Sequence, residues 1–461
     1  MTKSKDVSSM DLSALQELDR SHHIHPFTDP GALRSAPPFI VESAEGVYIR
    51  GQNIQLLDMM AGLGCVNIGY GRQEMADVAA KAMKELSYYH SFAAVSNPAA
   101  ALLSDKIASL APGPLNKVFF ANSGSEAIET IGKLVRLYWR RKGKSSKQAF
   151  ISRDLSYHGS TMFAASLNGL QSMHKPFGLN EPKMVHHAAT PFWYRFGGGS
   201  DPEEFGLLAA QSVEEKILEV GADKVAAFIA EPIQGTLGAI IPPMSYWPAV
   251  EAICKKHDVL LVADEVLTGC GRTGNWFAQE TFNFQADIMA ISKGLSSGYQ
   301  PISAAVFSDE VAEVLEKEDS VLQHGFTTSA HPVSAAIALK NLEIIERENL
   351  VPRIKDDVGP KFKIALESLS DHVLVGEVRT CGLIGAIEIA QDKNTRSQFP
   401  VDMGIDHHIA NHIMMKGVII RPAGNVLILC PPYIVTEAEI NFAIEAIKHG
   451  LDTVLDLINQ S

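Results

Sequence analysis

The order of apolar and polar positions predicts alternating strands and helices from about residue 100 onward. Short apolar runs, of the length expected for buried strands, are separated by stretches with helical periodicity. The predicted strands are Lys117–Phe120, Ala149–Ser152, Met184–His186, Val225–Ala230, Val259–Ala263, Ile288–Ser292 and Ala304–Phe307. This alternation is typical of a mainly parallel sheet with helices on both faces, so we expect an α/β fold.

The two ends of the chain carry different patterns. Residues up to about 40 contain several prolines and little periodicity, which predicts an irregular arm, and Val47–Arg50 with Gln55–Asp58 predicts a hairpin. Beyond about residue 350 the pattern predicts a smaller α+β unit with the strands Val373–Val378, Gly385–Ile389, Val418–Arg421 and Val426–Leu429. The predicted domains are an N-terminal arm with part of the small domain (1–60), a large domain (61–330) and a C-terminal small domain (331–461).

Composition excludes several classes of protein. The 461 residues carry a formal net charge of −13, which argues against a nucleic-acid partner. No apolar run is long enough for a membrane span, and the polar segment Met1–Ser13 lacks the apolar core of a signal peptide, so we expect a cytoplasmic protein with no membrane partner. The five cysteines are scattered and never spaced C-x-x-C, so we expect reduced thiols.

Histidine tracts give no prediction of a metal site. The tract Ser21–His25 contains three histidines, but its spacing gives no tetrahedral set with cysteine or carboxylate. His408 and His412 lie four apart on a probable helix, yet Ile409 stands where a zinc-protease motif needs glutamate. We therefore expect no bound metal.

A lysine and an aspartate stand at the ends of two predicted strands. Lys293 follows Ile288–Ser292, and Asp264 follows Val259–Ala263. Since parallel strands end at one edge of a sheet, both side chains can face one cleft there. Removal from water lowers the pKa of a lysine, which prepares it to act as a nucleophile or a base. Taken alone, Lys293 could also be a lysine that extends to solvent from a strand end.

Two turns add further candidate groups at the same edge. Ser123, Gly124 and Ser125 precede a helix, where backbone N–H groups, hydroxyls and the helix N-terminus favour phosphate, although a serine there can simply cap the helix. Tyr157 and His158 follow another strand, and an aromatic ring in such a turn can stack on a flat cofactor or belong to the core. An amine, a carboxylate, a phosphate-binding turn and an aromatic ring are together what pyridoxal 5'-phosphate requires.

At these residues the chain resembles the class III aminotransferases, which are fold type I pyridoxal-phosphate enzymes, and is similar to the amine or ω-amino acid:pyruvate aminotransferases. The resemblance covers nearly the whole chain, from His25-Pro26-Phe27-Thr28 to Pro431-Pro432. The other motifs are Asn122-Ser123-Gly124-Ser125-Glu126-Ala127, Tyr157-His158-Gly159, Glu231-Pro232-Ile233-Gln234-Gly235, Asp264-Glu265-Val266, Gly271-Arg272-Thr273-Gly274, Lys293-Gly294, His324-Gly325-Phe326-Thr327 and Arg421-Pro422. It implies a large domain with a mainly parallel sheet and a smaller α+β domain.

The resemblance also implies functions for individual residues. Lys293 would bind the cofactor covalently and carry the proton, Asp264 would pair with the pyridine nitrogen, and Tyr157 and Val266 would enclose the ring. Glu231 would lie near the ring oxygen. The other implied cofactor-binding residues are Ser123, Gly124, Ser125, His158 and Thr327, the last reaching the phosphate of the other subunit. The implied substrate residues are Phe27, Gly64, Tyr157 and Arg421, whose guanidinium would bind a carboxylate.

The activity that the resemblance implies is transfer of an amino group from a primary amine or ω-amino acid to a keto acid, with pyruvate as the expected acceptor. The implied minimal unit is a homodimer, with a tetramer as the alternative assembly. A pyridoxal-phosphate decarboxylase or aminomutase would keep the same residues, so both stay open. The alternative from another class is a protein that binds the cofactor without catalysis.

Two positions depart from the family pattern. Close relatives usually carry tryptophan where Gly64 stands and phenylalanine where Ala93 stands. Both differences remove a ring from the expected substrate pocket, and a lost ring leaves a cavity unless neighbours refill it. Our hypothesis is that the enzyme accepts bulkier amines than its relatives, and repacking that leaves the pocket unchanged is the alternative.

Overall fold

The computed structural model describes residues 11–179, 184–317 and 321–460. Its strands are β1 Ser43–Glu45, β2 Tyr48–Gly51, β3 Ile54–Asp58, β4 Leu115–Ala121, β5 Ala149–Arg153, β6 Val185–Ala188, β7 Val225–Ala230, β8 Leu260–Asp264, β9 Ile288–Ile291, β10 Ser303–Ser308, β11 Val375–Cys381, β12 Ile384–Ile389, β13 Val418–Ile419, β14 Arg421–Pro422 and β15 Val426–Leu429. The longer α-helices are Leu12–His22, Gln73–Glu85, Pro98–Leu110, Gly124–Arg141, Pro202–Val220, Tyr246–Lys256, Asp309–Glu316, Pro332–Arg347, Gly359–Glu367, Ile405–Met415 and Glu437–Gln460. The shorter helices are Pro30–Ser35, Ala61–Gly64, Met162–Leu167, Gln171–His174, Lys175–Phe177, Trp193–Phe196, Ala278–Thr281, Lys293–Leu295, Leu350–Arg353, Ile354–Val358 and Val401–Met403.

The central sheet confirms the predicted α/β class. Among the described residues, seven strands form it in the order β4-β10-β9-β8-β7-β5-β6. Every strand predicted for this sheet is present, with small differences at its ends. Strand β10 is antiparallel to β4 and β9, and the other neighbouring pairs are parallel. Strands β4, β5, β7, β8 and β9 therefore all end at one edge, which we call the carboxyl edge.

Helices cover both faces of this sheet. Leu261 in β8 packs among side chains of the helices Pro202–Val220 and Tyr246–Lys256. Its neighbour Val262 packs on the opposite face with the helix Gly124–Arg141. Because successive strand residues point to opposite faces, a strand covered on both sides is apolar throughout. Each large apolar side chain buried in this way contributes about 1.5–3 kcal/mol to the stability of the sheet.

Two smaller sheets join the ends of the chain. In the described part these are β1-β2-β3-β13 and β11-β12-β15-β14. The predicted hairpin is confirmed as β2 and β3. The prediction of a single strand over Val418–Arg421 is wrong, because two separate strands, β13 and β14, lie there. Strand β13 pairs in parallel with β3, whereas β14 pairs antiparallel with β15. The chain changes partner at Ile420, so the N-terminal hairpin and the C-terminal sheet meet next to Arg421.

The prediction of an irregular N-terminal arm is wrong in part, because the arm contains two helices. The helix Leu12–His22 ends before Pro26, and the helix Pro30–Ser35 begins at a proline, where the missing N–H breaks no helical hydrogen bond. Asp29 caps this second helix by accepting a hydrogen bond from the Gly31 N–H at 2.7 Å. Residues 1–10, which include most of the segment considered for a signal peptide, lie outside the described residues. The domain boundaries 1–60, 61–330 and 331–461 stay predictions.

Two predictions from composition concern the membrane and the thiols. Within the described ranges, the structure contains no helix with both the length and the apolar character needed to span a bilayer. All five cysteines lie within these ranges and all are free, which confirms the prediction that they form no disulfide framework.

Candidate active site

The carboxyl edge of the central sheet surrounds a cavity of about 210 Å³. The residues predicted from sequence that line it are Gly64, Gly124, Ser125, Tyr157, His158, Glu231, Asp264, Val266, Lys293 and Arg421. Most of them follow β4, β5, β7, β8 or β9 directly or within a short turn. The parallel sheet brings these distant segments together because its strands end side by side.

Lys293 follows β9 after one intervening residue, Ser292. Its φ of 24° lies in the left-handed region that residues other than glycine rarely adopt, so the backbone is strained at this point. Withdrawal from water lowers the pKa of the Lys293 ammonium, although the nearby carboxylates of Asp264 and Glu231 act in the opposite direction. The neutral amine, which attacks carbonyls and accepts protons, is therefore more populated than in an exposed lysine.

Asp264 ends β8 and is held by two hydrogen bonds. Its Oδ1 accepts from the Val266 N–H at 3.1 Å, and its Oδ2 lies 2.7 Å from His158 Nδ1. The other ring nitrogen, Nε2, lies 3.1 Å from Ser152 Oγ. Because both nitrogens have partners, His158 is fixed in orientation and holds the buried carboxylate in place. Sequence reasoning missed Ser152, whose only sequence signal is its position at the end of a predicted strand.

Glu231 connects two turns at the carboxyl edge. Its Oε1 accepts from the Tyr157 N–H at 2.9 Å, and its Oε2 accepts from the Gly235 N–H at 3.1 Å. Burial raises the pKa of the Glu231 carboxyl. Glu231 thus positions the turn that carries Tyr157, and the contact with the cofactor's ring oxygen implied by the resemblance stays a prediction.

In the turn after β4, Ser123 caps a helix, whereas Gly124 and Ser125 face the cavity. Ser123 is the N-cap of the helix Gly124–Arg141, and its hydroxyl accepts from the Glu126 N–H at 3.2 Å. Gly124 and Ser125 line the cavity, whereas Ser123 is not among the lining residues. Ser125 Oγ accepts from the Ser160 N–H at 3.0 Å, which fixes the direction of this hydroxyl. Capping, the alternative considered from sequence, is what the structure shows for Ser123.

Arg421 is a half-buried cation in the wall of the same cavity. Desolvation lowers its pKa, yet a guanidinium stays charged under ordinary conditions. Within the described residues no carboxylate forms an ion pair with it. Buried charges are normally paired, so an unpaired guanidinium at this depth is suited to an anionic ligand.

Phe27 is largely exposed, with its ring centroid 6.4 Å from that of Tyr157.

Thr327 and Ala93 lie outside the cavity of Lys293. Thr327 is exposed, and its carbonyl oxygen accepts from the Tyr88 hydroxyl at 2.8 Å. Ala93 lines a second cavity, of about 530 Å³, together with Phe92 and His324. The functions predicted for Thr327 and Ala93 therefore stay predictions.

Several lining residues were not predicted from sequence. These are Met60, Leu63, Thr236, Leu267, Ile428 and Cys430, most of them apolar. Leu267 directly follows Asp264-Glu265-Val266, and Cys430 directly precedes Pro431-Pro432. The sequence shows that these two residues are next to motifs, but it does not show which neighbours of a motif face the cavity.

The N-terminal histidine tract does meet a carboxylate, contrary to the sequence argument. His23 Nδ1 lies 3.0 Å from Asp19 Oδ1, and His25 Nε2 lies 2.5 Å from Asp19 Oδ2. Asp19 precedes His23 by one helical turn and lies outside the tract Ser21–His25. The ligand atoms of Asp19, His23 and His25 lie within 4.8 Å of one another, a grouping that could hold a metal ion, so the expectation of no bound metal stays a prediction.

The residues of the cavity fit pyridoxal 5'-phosphate. A lysine amine, a hydrogen-bonded carboxylate and a serine hydroxyl at a helix start are the three kinds of polar group that this cofactor requires. A Cβ added to Gly124 would lie 3.2 Å from a Val266 methyl, so a side chain at this position would press on the residue expected to enclose the ring. Lys293 would hold the aldehyde, Asp264 would face the ring nitrogen, and Gly124 and Ser125 would hold the phosphate.

Comparison with known proteins gives a consistent result. The profile of the family Aminotransferase class-III matches residues 32–451. The putrescine–pyruvate aminotransferase of Pseudomonas aeruginosa is 43% identical over 438 residues, which cover 95% of each chain. The omega transaminase from Pseudomonas jessenii, solved in complex with PMP, has a TM-score of 0.94 at 38% identity and covers 96% of this chain and 99% of its own.

A second similar solved structure is that of a variant with a single named substitution. It is a thermostable omega transaminase variant in which glycine replaces tryptophan, engineered for asymmetric synthesis of enantiopure bulky amines. Its TM-score is 0.93 at 38% identity, with 96% of this chain and 100% of that chain covered. The family match over most of the sequence agrees with the cavity at the carboxyl edge, and this chain belongs to the class III aminotransferases, enzymes that use pyridoxal 5'-phosphate.

Proposed function

We propose that this enzyme is an amine:pyruvate aminotransferase, which takes the amino group of a primary amine or ω-amino acid and delivers it to pyruvate. The observation that carries the proposal is that Lys293 and the unpaired Arg421 line one cavity. Lys293 serves the exchange of amino groups, and Arg421 recognises an acid. The likeness to a putrescine–pyruvate aminotransferase supports this pair of substrates.

In the first half of the reaction Lys293 is the group that moves a proton. When bound, pyridoxal phosphate withdraws electrons from the carbon that bears the amino group and so acidifies its C–H bond. The Lys293 amine, whose pKa burial lowers, accepts that proton as a general base and then donates it as an acid. The Asp264 carboxylate lines the cavity and is held in orientation by His158.

In the second half Arg421 selects the acceptor. Its guanidinium can form two parallel hydrogen bonds to the carboxylate of a keto acid, which orients the carbonyl group in the cavity. Met60, Leu267 and Ile428 make the adjoining wall apolar. An amine without a carboxylate can place its apolar substituent against this wall, so one cavity serves both substrates.

We further propose that the active unit is a homodimer, with each Thr327 binding the phosphate in the other subunit. The exposed position of Thr327, outside the cavity of its own chain, supports this arrangement. We also propose a cytoplasmic location, which the net charge of −13 and the five free cysteines support.

Alanine production from pyruvate tests the proposed reaction. Purified holoenzyme is incubated with pyruvate and a panel of donors that includes putrescine, a short ω-amino acid and an aryl-alkyl amine. We expect alanine in proportion to the donor consumed, with no carbon dioxide. Release of carbon dioxide without alanine would indicate the decarboxylase alternative. A cofactor absorption band that no amine changes would indicate a non-catalytic protein.

A further inference from the structure

One side chain occupies the space beside two glycines of the cavity wall. Gly64, Gly235 and Leu267 come from three separate segments, and all three line the cavity of Lys293. A Cβ added to Gly64 would lie 2.5 Å from Leu267 Cδ1, and one added to Gly235 would lie closer than 3.0 Å to Leu267 Cδ2. Carbon atoms do not approach so closely, so neither glycine can carry a side chain while Leu267 keeps its position.

A larger residue is excluded at the two glycines for different reasons. Gly64 has a φ of 67°, in the left-handed region, so an alanine there would be strained even in open space. Gly235 lies outside that region, and atoms of Leu267 are the three nearest neighbours of its missing Cβ. At Gly235 the leucine is therefore the obstacle to a larger residue.

We propose that Leu267 determines the size of the amine that the enzyme accepts. This inference rests on the proposed function and adds to it the residue that limits the donor. The position that the first carbon of a side chain at Gly64 would take is occupied by the isobutyl group of Leu267, whose two methyl groups point to the two glycines. Since neither glycine has a side chain, shortening Leu267 leaves nothing to refill the space between them.

The direct test compares a small and a bulky donor in the first half-reaction. Isopropylamine and 1-phenylpropylamine are mixed with holoenzyme without pyruvate, and the change in cofactor absorbance gives the rate for each. We expect Leu267→Ala to raise the ratio of bulky to small rates by at least about tenfold, the scale for a change of one or more carbons in an apolar pocket. Leu208→Ala, at an exposed leucine on the helix Pro202–Val220, controls for preparation effects. An unchanged ratio in Leu267→Ala would overturn the proposal.

A stability cycle tests the same contact without catalysis. Gly235→Ala should lower the melting temperature of the wild-type holoenzyme, because the added methyl group displaces Leu267, and should lower it much less in the Leu267→Ala background. Equal effects in both backgrounds would show that Leu267 does not occupy this space. If Leu267→Ala folds poorly, Leu267→Val should give a smaller shift of the rate ratio in the same direction.

These measurements separate this inference from the proposed function. Failure to form alanine from pyruvate would refute the acceptor, while the half-reaction with amine alone would still report the size limit. Alanine formation with an unaltered size preference in both leucine variants would leave the proposed reaction standing and remove Leu267 from it.

Discussion

Replacing Arg421 by methionine should separate the two halves of the reaction. The guanidinium is half-buried, lines the cavity, and has no carboxylate partner among the described residues. A hydrogen bond to a charged group contributes about 1.5–3 kcal/mol, and a carboxylate can form two with one guanidinium. Because the site is partly open to solvent, we take about 3 kcal/mol for the pair, which corresponds to a loss of about a hundredfold.

The assay follows the cofactor absorbance in each half-reaction separately. In Arg421→Met we expect the half-reaction with pyruvate to lose about a hundredfold in kcat/KM. The half-reaction with an amine that has no carboxylate should change by less than about tenfold, since that donor makes no contact requiring the charge. Arg421→Lys keeps the charge but not the planar fork, so it should give an intermediate loss.

A control and a clear contradictory result complete the experiment. Arg50→Ala removes an exposed arginine of β2 and should leave both half-reactions unchanged. If Arg421→Met slowed the amine and the pyruvate half-reactions equally, the arginine would be supporting the fold of the cavity, and its assignment to carboxylate recognition would be wrong.

Three further predictions concern the cofactor. Lys293→Ala should abolish amino transfer by at least about 10⁴-fold, and borohydride reduction followed by mass spectrometry should attach the cofactor to Lys293 in the wild type only; attachment elsewhere would contradict the assignment. Because burial lowers the pKa of Lys293, uptake of pyridoxal phosphate by the apoprotein should rise with pH through a midpoint below that of N-acetyl-lysine in the same buffer, and equal midpoints would refute this. Mixing Lys293→Ala with Thr327→Ala should restore one complete site in each mixed dimer, measured as cofactor affinity and activity above the mean of the two variants, and no restoration would show that Thr327 acts within its own chain.

The carboxyl edge could be predicted because its residues follow strands. Lys293, Asp264 and Glu231 each stand just beyond a short apolar run, and a parallel sheet places such positions side by side whatever lies between them in sequence. Periodicity and length suffice to find those runs, since strands buried on both faces are apolar throughout. The sequence alone therefore predicted that Lys293, Asp264 and Glu231 lie at one cavity.

The walls of the cavity could not be predicted in the same way. Whether the space beside Gly64 is open depends on Leu267, and no sequence pattern reports where two methyl groups point. The division of Val418–Arg421 into two strands depends on which partners are available, which is a property of the assembled fold. Thr327 and Ala93 lie outside the cavity of Lys293 in their own chain, so the functions predicted for them stay predictions. The helix Leu12–His22 was not predicted, because the prolines from Pro26 onward suggested irregular structure for the whole arm. A proline constrains only its own neighbourhood, and this helix ends before the first of them.

The pairing of β13 with β3 has a consequence for folding during synthesis. A ribosome completes the central sheet and Lys293 well before it makes Val418, so for that interval the edge of β3 has unpaired N–H and C=O groups. The strands that carry Lys293 and its neighbours are therefore synthesised early, whereas Arg421 lies in about the last tenth of the 461 residues and can join the cavity wall only late. Truncated products ending before β13 would expose a strand edge that favours aggregation.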